Sequence, residues 1–164
     1  MRVPGNKESV GGFTLIELVV VIAIVGILAA VALPRFIAMQ TQARAAKAQA
    51  MFGAVRSAAV LAHGGCLANV GGTCTQTGGS VTMEGAIINM VNAYPTANIS
   101  TVTPGGIILA TQINPAADGV SVAVVGNSVT IDINGGTVPN CRVTYIEAVA
   151  INTAPNILVD VGGC

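Results

Sequence analysis

Few side chains in this chain could do chemistry, and their spacing decides which chemistry that would be. His63 is the one histidine among 164 residues, so a Ser-His-Asp or Cys-His site would have to use it, and nothing around it resembles a nucleophile elbow. Its place at the end of a helical segment suits a positive imidazole facing the helix dipole. Cys66, Cys74, Cys141 and Cys164 lack the close spacing and histidine partners of a zinc site. Asp132 and Asn134 fall on one side of a strand and could offer oxygens to calcium; two ligands are too few, and a solvated strand face is the simpler account. The glycine pairs lack both G-x-G-x-x-G and Walker A context, so phosphate binding has no support. Phe13, Phe36, Phe52, Tyr94 and Tyr145 are too few for a nucleic-acid stacking platform or a continuous aromatic path for electrons. Asn98-Ile99-Ser100 fits the glycosylation sequon, a pattern short enough to arise by chance. The chain therefore reads as a non-enzyme with no cofactor, metal or nucleic acid partner.

Glu17 is the group that calls for an explanation, because it sits inside an apolar run. The chain is 52% hydrophobic and only 9% charged, so part of it must live outside water. Phe13 to Leu33 gives a helix about 31 Å long at 1.5 Å per residue, the thickness of a bilayer's hydrocarbon core. Arg2 and Lys7 precede it, which places the amino terminus in the cytoplasm and the body outside. One reading makes it a secretory signal, with Ala30-Val31-Ala32 as the cleavage site and a soluble binding protein starting at Leu33. Glu17 within the apolar core and Pro34 just beyond the cut fit that reading poorly. The other reading cuts after Gly12 and keeps the run. A carboxylate there costs about 2.5 to 3.5 kcal/mol on insertion scales and needs a partner. Cleavage after Gly12 supplies one, a new amine on Phe13, on the same chain or a neighbour.

Gly12-Phe13-Thr14-Leu15-Ile16-Glu17, followed by an apolar helix to Pro34, resembles the leader junction and first helix of type IV pilins and type II secretion pseudopilins. The close match covers Gly11 to about Phe36; beyond it the likeness is one of layout. The resemblance implies that a membrane prepilin peptidase cuts after Gly12 and methylates Phe13. It also implies that Glu17 meets that amine on a neighbouring subunit, and that the helix partly unwinds between Gly26 and Pro34 in the filament, both residues being weak points of a helix. The divisions expected are a leader over 1–12, a transmembrane and filament-core helix over 13–34, and a globular head over 35–164. The partners implied are copies of the same chain, the peptidase and assembly machinery, and the inner membrane before the subunit enters an extracellular pilus.

The remaining elements follow from periodicity. The helical pattern continues to about Ala62, with Gly64-Gly65 as a stop, and Met51, Val55, Ala58 and Ala62 line one face beside Phe52 and Ala59. Arg35, Arg44, Lys47 and Arg56 occur there with no acid, whereas Glu84, Asp118, Asp132, Glu147 and Asp160 follow with only Arg142. The first account is a solvated helix face; the second is a pair of surfaces that meet between copies. Gly64 to Gly79 reads as a loop. Ser80 to Ala93 is expected to hold a short helix with Ser80 as its N-cap. The type of Ile107 to Ile113 stays open. Val120 to Val125 and Val129 to Asn134 alternate about a Gly126-Asn127 turn, and Arg142 to Ala150 and Asn156 to Val161 complete three or four strands. The class is α+β, a long N-terminal helix on an antiparallel sheet.

Export makes disulfides the expected state of the cysteines. Four cysteines allow three pairings, of which Cys66 with Cys74 and Cys141 with Cys164 is the sequence-local one. The second of these closes a loop of about 24 residues, worth roughly 3 kcal/mol in the chain-entropy model. Within the family, the pairing of Cys141 with Cys164 is more like a surface pilin of the mannose-sensitive haemagglutinin type. The major pseudopilin usually lacks such a bridge and carries a calcium loop.

Overall fold

A computed structural model describes residues 12–69 and 72–164. Helix α1 spans Leu15–Leu67, and the chain divides into two compact units between Met39 and Gln40. In the first unit every described side chain is exposed, and the segment is long and apolar enough to cross a membrane. Pro34 lies inside the helix, where it contributes no N–H to the backbone ladder.

The second unit is built on the part of α1 from Ala48 onward. Ala48, Val55, Ala58, Ala59, Ala62 and Cys66 are buried, a spacing of three and four residues that lays one stripe on the core. Strands β4 (Val120–Val125), β5 (Ser128–Ile133), β6 (Arg142–Ile146) and β7 (Asn156–Asp160) form an antiparallel sheet in that order. Val129, Ile131, Ile133, Val143 and Tyr145 point from it into the core with Val55 and Ala59. Gly126, at φ 58°, and Asn127 make the two-residue turn between β4 and β5. The α+β class, with the long helix on an antiparallel sheet, is thus the observed one.

A second sheet of three strands occupies the segment expected to be helical. Strands β1 (Gly78–Met83), β2 (Ala86–Val91) and β3 (Tyr94–Pro95) run antiparallel. Glu84 and Gly85 sit at φ 48° and 82° between the paired Met83 and Ala86, the backbone that a tight two-residue hairpin needs and a helix forbids. Ser80 is therefore a strand residue opposite Asn89 and not a cap. Val81, Ile88, Met90 and Ala93 form a second apolar cluster with Ala62 and Cys66.

One further expectation is corrected, and one segment left open takes a definite form. The helix passes through Gly64-Gly65 and ends at Leu67. A side chain at Gly65 would meet Val81 Cγ2 at 3.0 Å, so this glycine serves close approach of helix to strand. The run from Ile107 resolves into one helical turn, α2 (Ile107–Ala110), with Ile107 and Ile108 fully buried.

Candidate processing and assembly segment

Gly12 and Phe13 precede α1 and are exposed, Phe13 at 86%. Thr14 begins the helix: its Oγ1 accepts the Glu17 N–H at 3.3 Å, and its carbonyl accepts the Leu18 N–H at 3.3 Å. Thr14 is thus an N-cap satisfying an amide that the first turn leaves open. Thr14-x-x-Glu17 also has the sequence form of a capping box, a signal that the reading of Glu17 as a membrane carboxylate passes over. Glu17 lies in the first helical turn and is exposed. Position and dipole suit a negative charge there, so an acid at this point favours helix formation. A side chain at Gly26 would meet nothing within 4 Å, leaving that face of the helix open to another helix.

The cysteines are bonded as Cys66 with Cys74 and Cys141 with Cys164, at Cα separations of 5.2 and 4.8 Å. The first bond holds the end of α1 to the segment leading into β1. The second, fully inside the main core at Cys141, brings Cys164 to where its carbonyl accepts Arg44 Nε at 2.5 Å. Lys47 donates to the carbonyls of Asp118 and Gly119. Arg44 and Lys47 are therefore half-buried clasps between α1 and later loops, which corrects their assignment to a purely solvated face. No charge pattern reveals this, because the acceptors are backbone carbonyls.

His63 does not end the helix. Its Nδ1–H donates to the Ala93 carbonyl at 2.9 Å and its ring stacks on Tyr94 at 4.1 Å with planes 3° apart, so it joins α1 to the turn before β3. Asp132 accepts two bonds from Arg142, at 2.7 and 3.0 Å, and Asn134 Oδ1 accepts from Ser121 Oγ at 3.0 Å. These oxygens are committed to protein donors, and no group of three metal-ligating side chains occurs among the described residues. Asn98 Oδ1 accepts the Ser100 N–H at 2.8 Å, closing the sequon into a local turn. Burial, with the Glu147 carboxylate and then Tyr94 adding, pushes the Tyr145 hydroxyl far up from its ordinary 10.0.

Residues 9–33 match the prokaryotic N-terminal methylation motif. The chain is similar to the type IV narrow pilus major component PilA5 of Thermus thermophilus, 55% identical over 51 residues, which are 31% of this chain and 44% of the relative. It is also similar to the type IV major pilin protein PilA of Myxococcus xanthus, 49% identical over 49 residues, 30% of this chain and 22% of the relative. The chain thus covers less than half the length of either relative. No solved structure matches it. The chain thus carries the prokaryotic N-terminal methylation motif over residues 9–33 and is similar, over about a third of its length, to two type IV pilins.

Proposed function

We propose that the protein is the structural subunit of an extracellular type IV pilus. The observation that carries this is the coincidence, at one helix start, of the methylation motif, an exposed Gly12-Phe13 junction, a Thr14 cap and Glu17 in the first turn of an exposed apolar helix. Prepilin peptidase cuts between Gly12 and Phe13 and methylates the Phe13 amine. The subunit waits in the inner membrane with its amino terminus in the cytoplasm, the span covering residues 13–34 and the head 35–164.

Assembly then withdraws α1 from lipid into a bundle of α1 helices from other copies. Leaving lipid yields no simple hydrophobic gain, so close packing must drive the bundle, and the Phe13 amine of one copy opposite Glu17 of another sets register. Unwinding between Gly26 and Pro34 accommodates the packing, since Pro34 already interrupts the ladder. The contact is head-to-tail and does not close, which yields a filament instead of a ring.

A surface pilus is favoured over a secretion pseudopilus by the Cys141–Cys164 bond and by the commitment of Asp132 to Arg142 where a calcium site would need free oxygens. Shearing intact cells tests this directly. Filaments of this subunit should appear in the sheared fraction; subunits confined to the periplasm would contradict the reading.

A further inference from the structure

Among the described residues, the charges of the second unit leave one arginine without a partner. Among its described residues, Arg44 and Lys47 serve carbonyl oxygens and Arg142 forms the ion pair with Asp132. Arg56 is exposed on α1 with no acceptor among the described residues. It borders a shallow dimple formed with Ser57, Val60 and Leu61, and the two apolar side chains there are 61% and 66% exposed. A helix face of this kind, with large apolar groups in water beside a single cation, is what a partner surface looks like before it is covered.

A complementary surface lies on the outer side of the four-stranded sheet. Asp132, Arg142 and Asp160 are register neighbours across β5, β6 and β7. Among the described residues, Arg142 gives both its bonds to Asp132, so Asp160, exposed on the edge strand, receives only the Gly162 amide at 2.9 Å. Two carboxylates against one guanidinium leave this row net negative. Beside it is a cleft of about 460 Å³ lined by Pro139, Thr144, Leu158 and Val159 as well as Arg142 and Asp160. Leu158 there is 52% exposed. The other carboxylates are placed differently: Asp118 and Glu147 are half-buried and accept backbone amides, and Glu84 accepts the Gln112 side chain.

We propose that the Arg56–Val60–Leu61 patch of one copy docks on the Leu158–Asp160 cleft of another, with Arg56 donating to Asp160. The contact rests on the filament reading above. The two patches share no residue, as a heterologous contact requires, and such a contact repeats along a filament without closing. Opposite charge sets approach and register, while Val60 and Leu61 pack on Pro139, Leu158 and Val159 of the cleft. Loss of one charge has a small effect, because an exposed pair contributes little; placing two like charges together has a large one.

Full-length variants expressed in the pilus-forming cell test this, with sheared filament measured against membrane-inserted monomer. Asp160→Arg and Arg56→Asp should each lower filament yield by about tenfold or more, and the double reversal should restore it to within about twofold of the parent. Parent filaments with reversals that assemble normally, or a double reversal no better than the singles, would overturn the contact alone. A parent chain that forms no filament would overturn the filament reading and the contact with it. A second measurement avoids charge reversal altogether. In Arg56→Lys filaments, a zero-length carbodiimide should join position 56 of one chain to Asp160 of another, and the absence of that inter-chain peptide contradicts the contact.

Discussion

Tyr145 donates its hydroxyl to the Pro95 carbonyl at 2.6 Å from a side chain with no solvent exposure. The bond ties β6 of the four-stranded sheet to β3 of the three-stranded one. Tyr145→Phe leaves the carbonyl without its donor and should cost about 1 to 3 kcal/mol, read as a lower urea midpoint with an unchanged slope. The same bond fixes a pH dependence. Burial holds the hydroxyl proton in the folded state above the ordinary value of 10.0, so the stabilisation is complete below that pH and is lost as pH rises past it. Stability should fall in alkali beyond about pH 10, and Tyr145→Phe should blunt that limb.

Cys141 and Cys164 close the longer loop and hold the Arg44 acceptor in place. Replacing both with alanine should lower stability by about 3 kcal/mol. Urea denaturation of the parent and the double variant under oxidising conditions checks this, since the Cys66–Cys74 bond stays intact in both.

Lys47 and Arg56 are cations of the same helix with opposite expectations. Lys47→Met deprives the Asp118 and Gly119 carbonyls of a charged donor and should cost about 1.5 kcal/mol or more. Arg56→Ala touches no acceptor among the described residues and should stay within about 0.5 kcal/mol of the parent. Thermal denaturation of the two variants side by side distinguishes a clasp from a free charge.

The two roles proposed for Glu17 can be separated by substitution. If it acted only by ending a Thr14 capping motif, Glu17→Gln would assemble as well as the parent, because glutamine serves a capping box equally. As a countercharge to the Phe13 amine it cannot be replaced by a neutral group. Both Glu17→Gln and Glu17→Ala should insert in the membrane normally and enter filaments at less than about a tenth of the parent's share, a loss of roughly 1.4 kcal/mol. Immunoblots of membrane and sheared fractions measure both quantities.

How much of this was legible in the sequence depended on whether local signals agreed with tertiary ones. Val120 to Ile133 alternates so regularly about Gly126-Asn127 that β4 and β5 follow from the pattern alone, and the buried stripe through Val55 and Ala62 follows from helical spacing. Ser80 and Glu84 mislead because they imitate the start of a helix. The opposing signals were present in Val81, Thr82, Ile87 and Ile88, β-branched residues on either side of Glu84-Gly85. Gly64 and Gly65 look like a helix stop because sequence does not show Val81 lying against Gly65. At the candidate site, Gly12 and Phe13 stand out in the sequence as a junction before the apolar run, and Glu17 as the one carboxylate within it. The clasps of Arg44 and Lys47 are not, because their partners are main-chain oxygens brought close by the fold.

The account stands or falls on where the mature chain begins. Amino-terminal sequencing of the mature protein, with its intact mass, should give methylated Phe13 as the first residue and place Glu17 on the helix that opens the chain. A mature protein beginning at Leu33 would lack that helix start and contradict the pilus account.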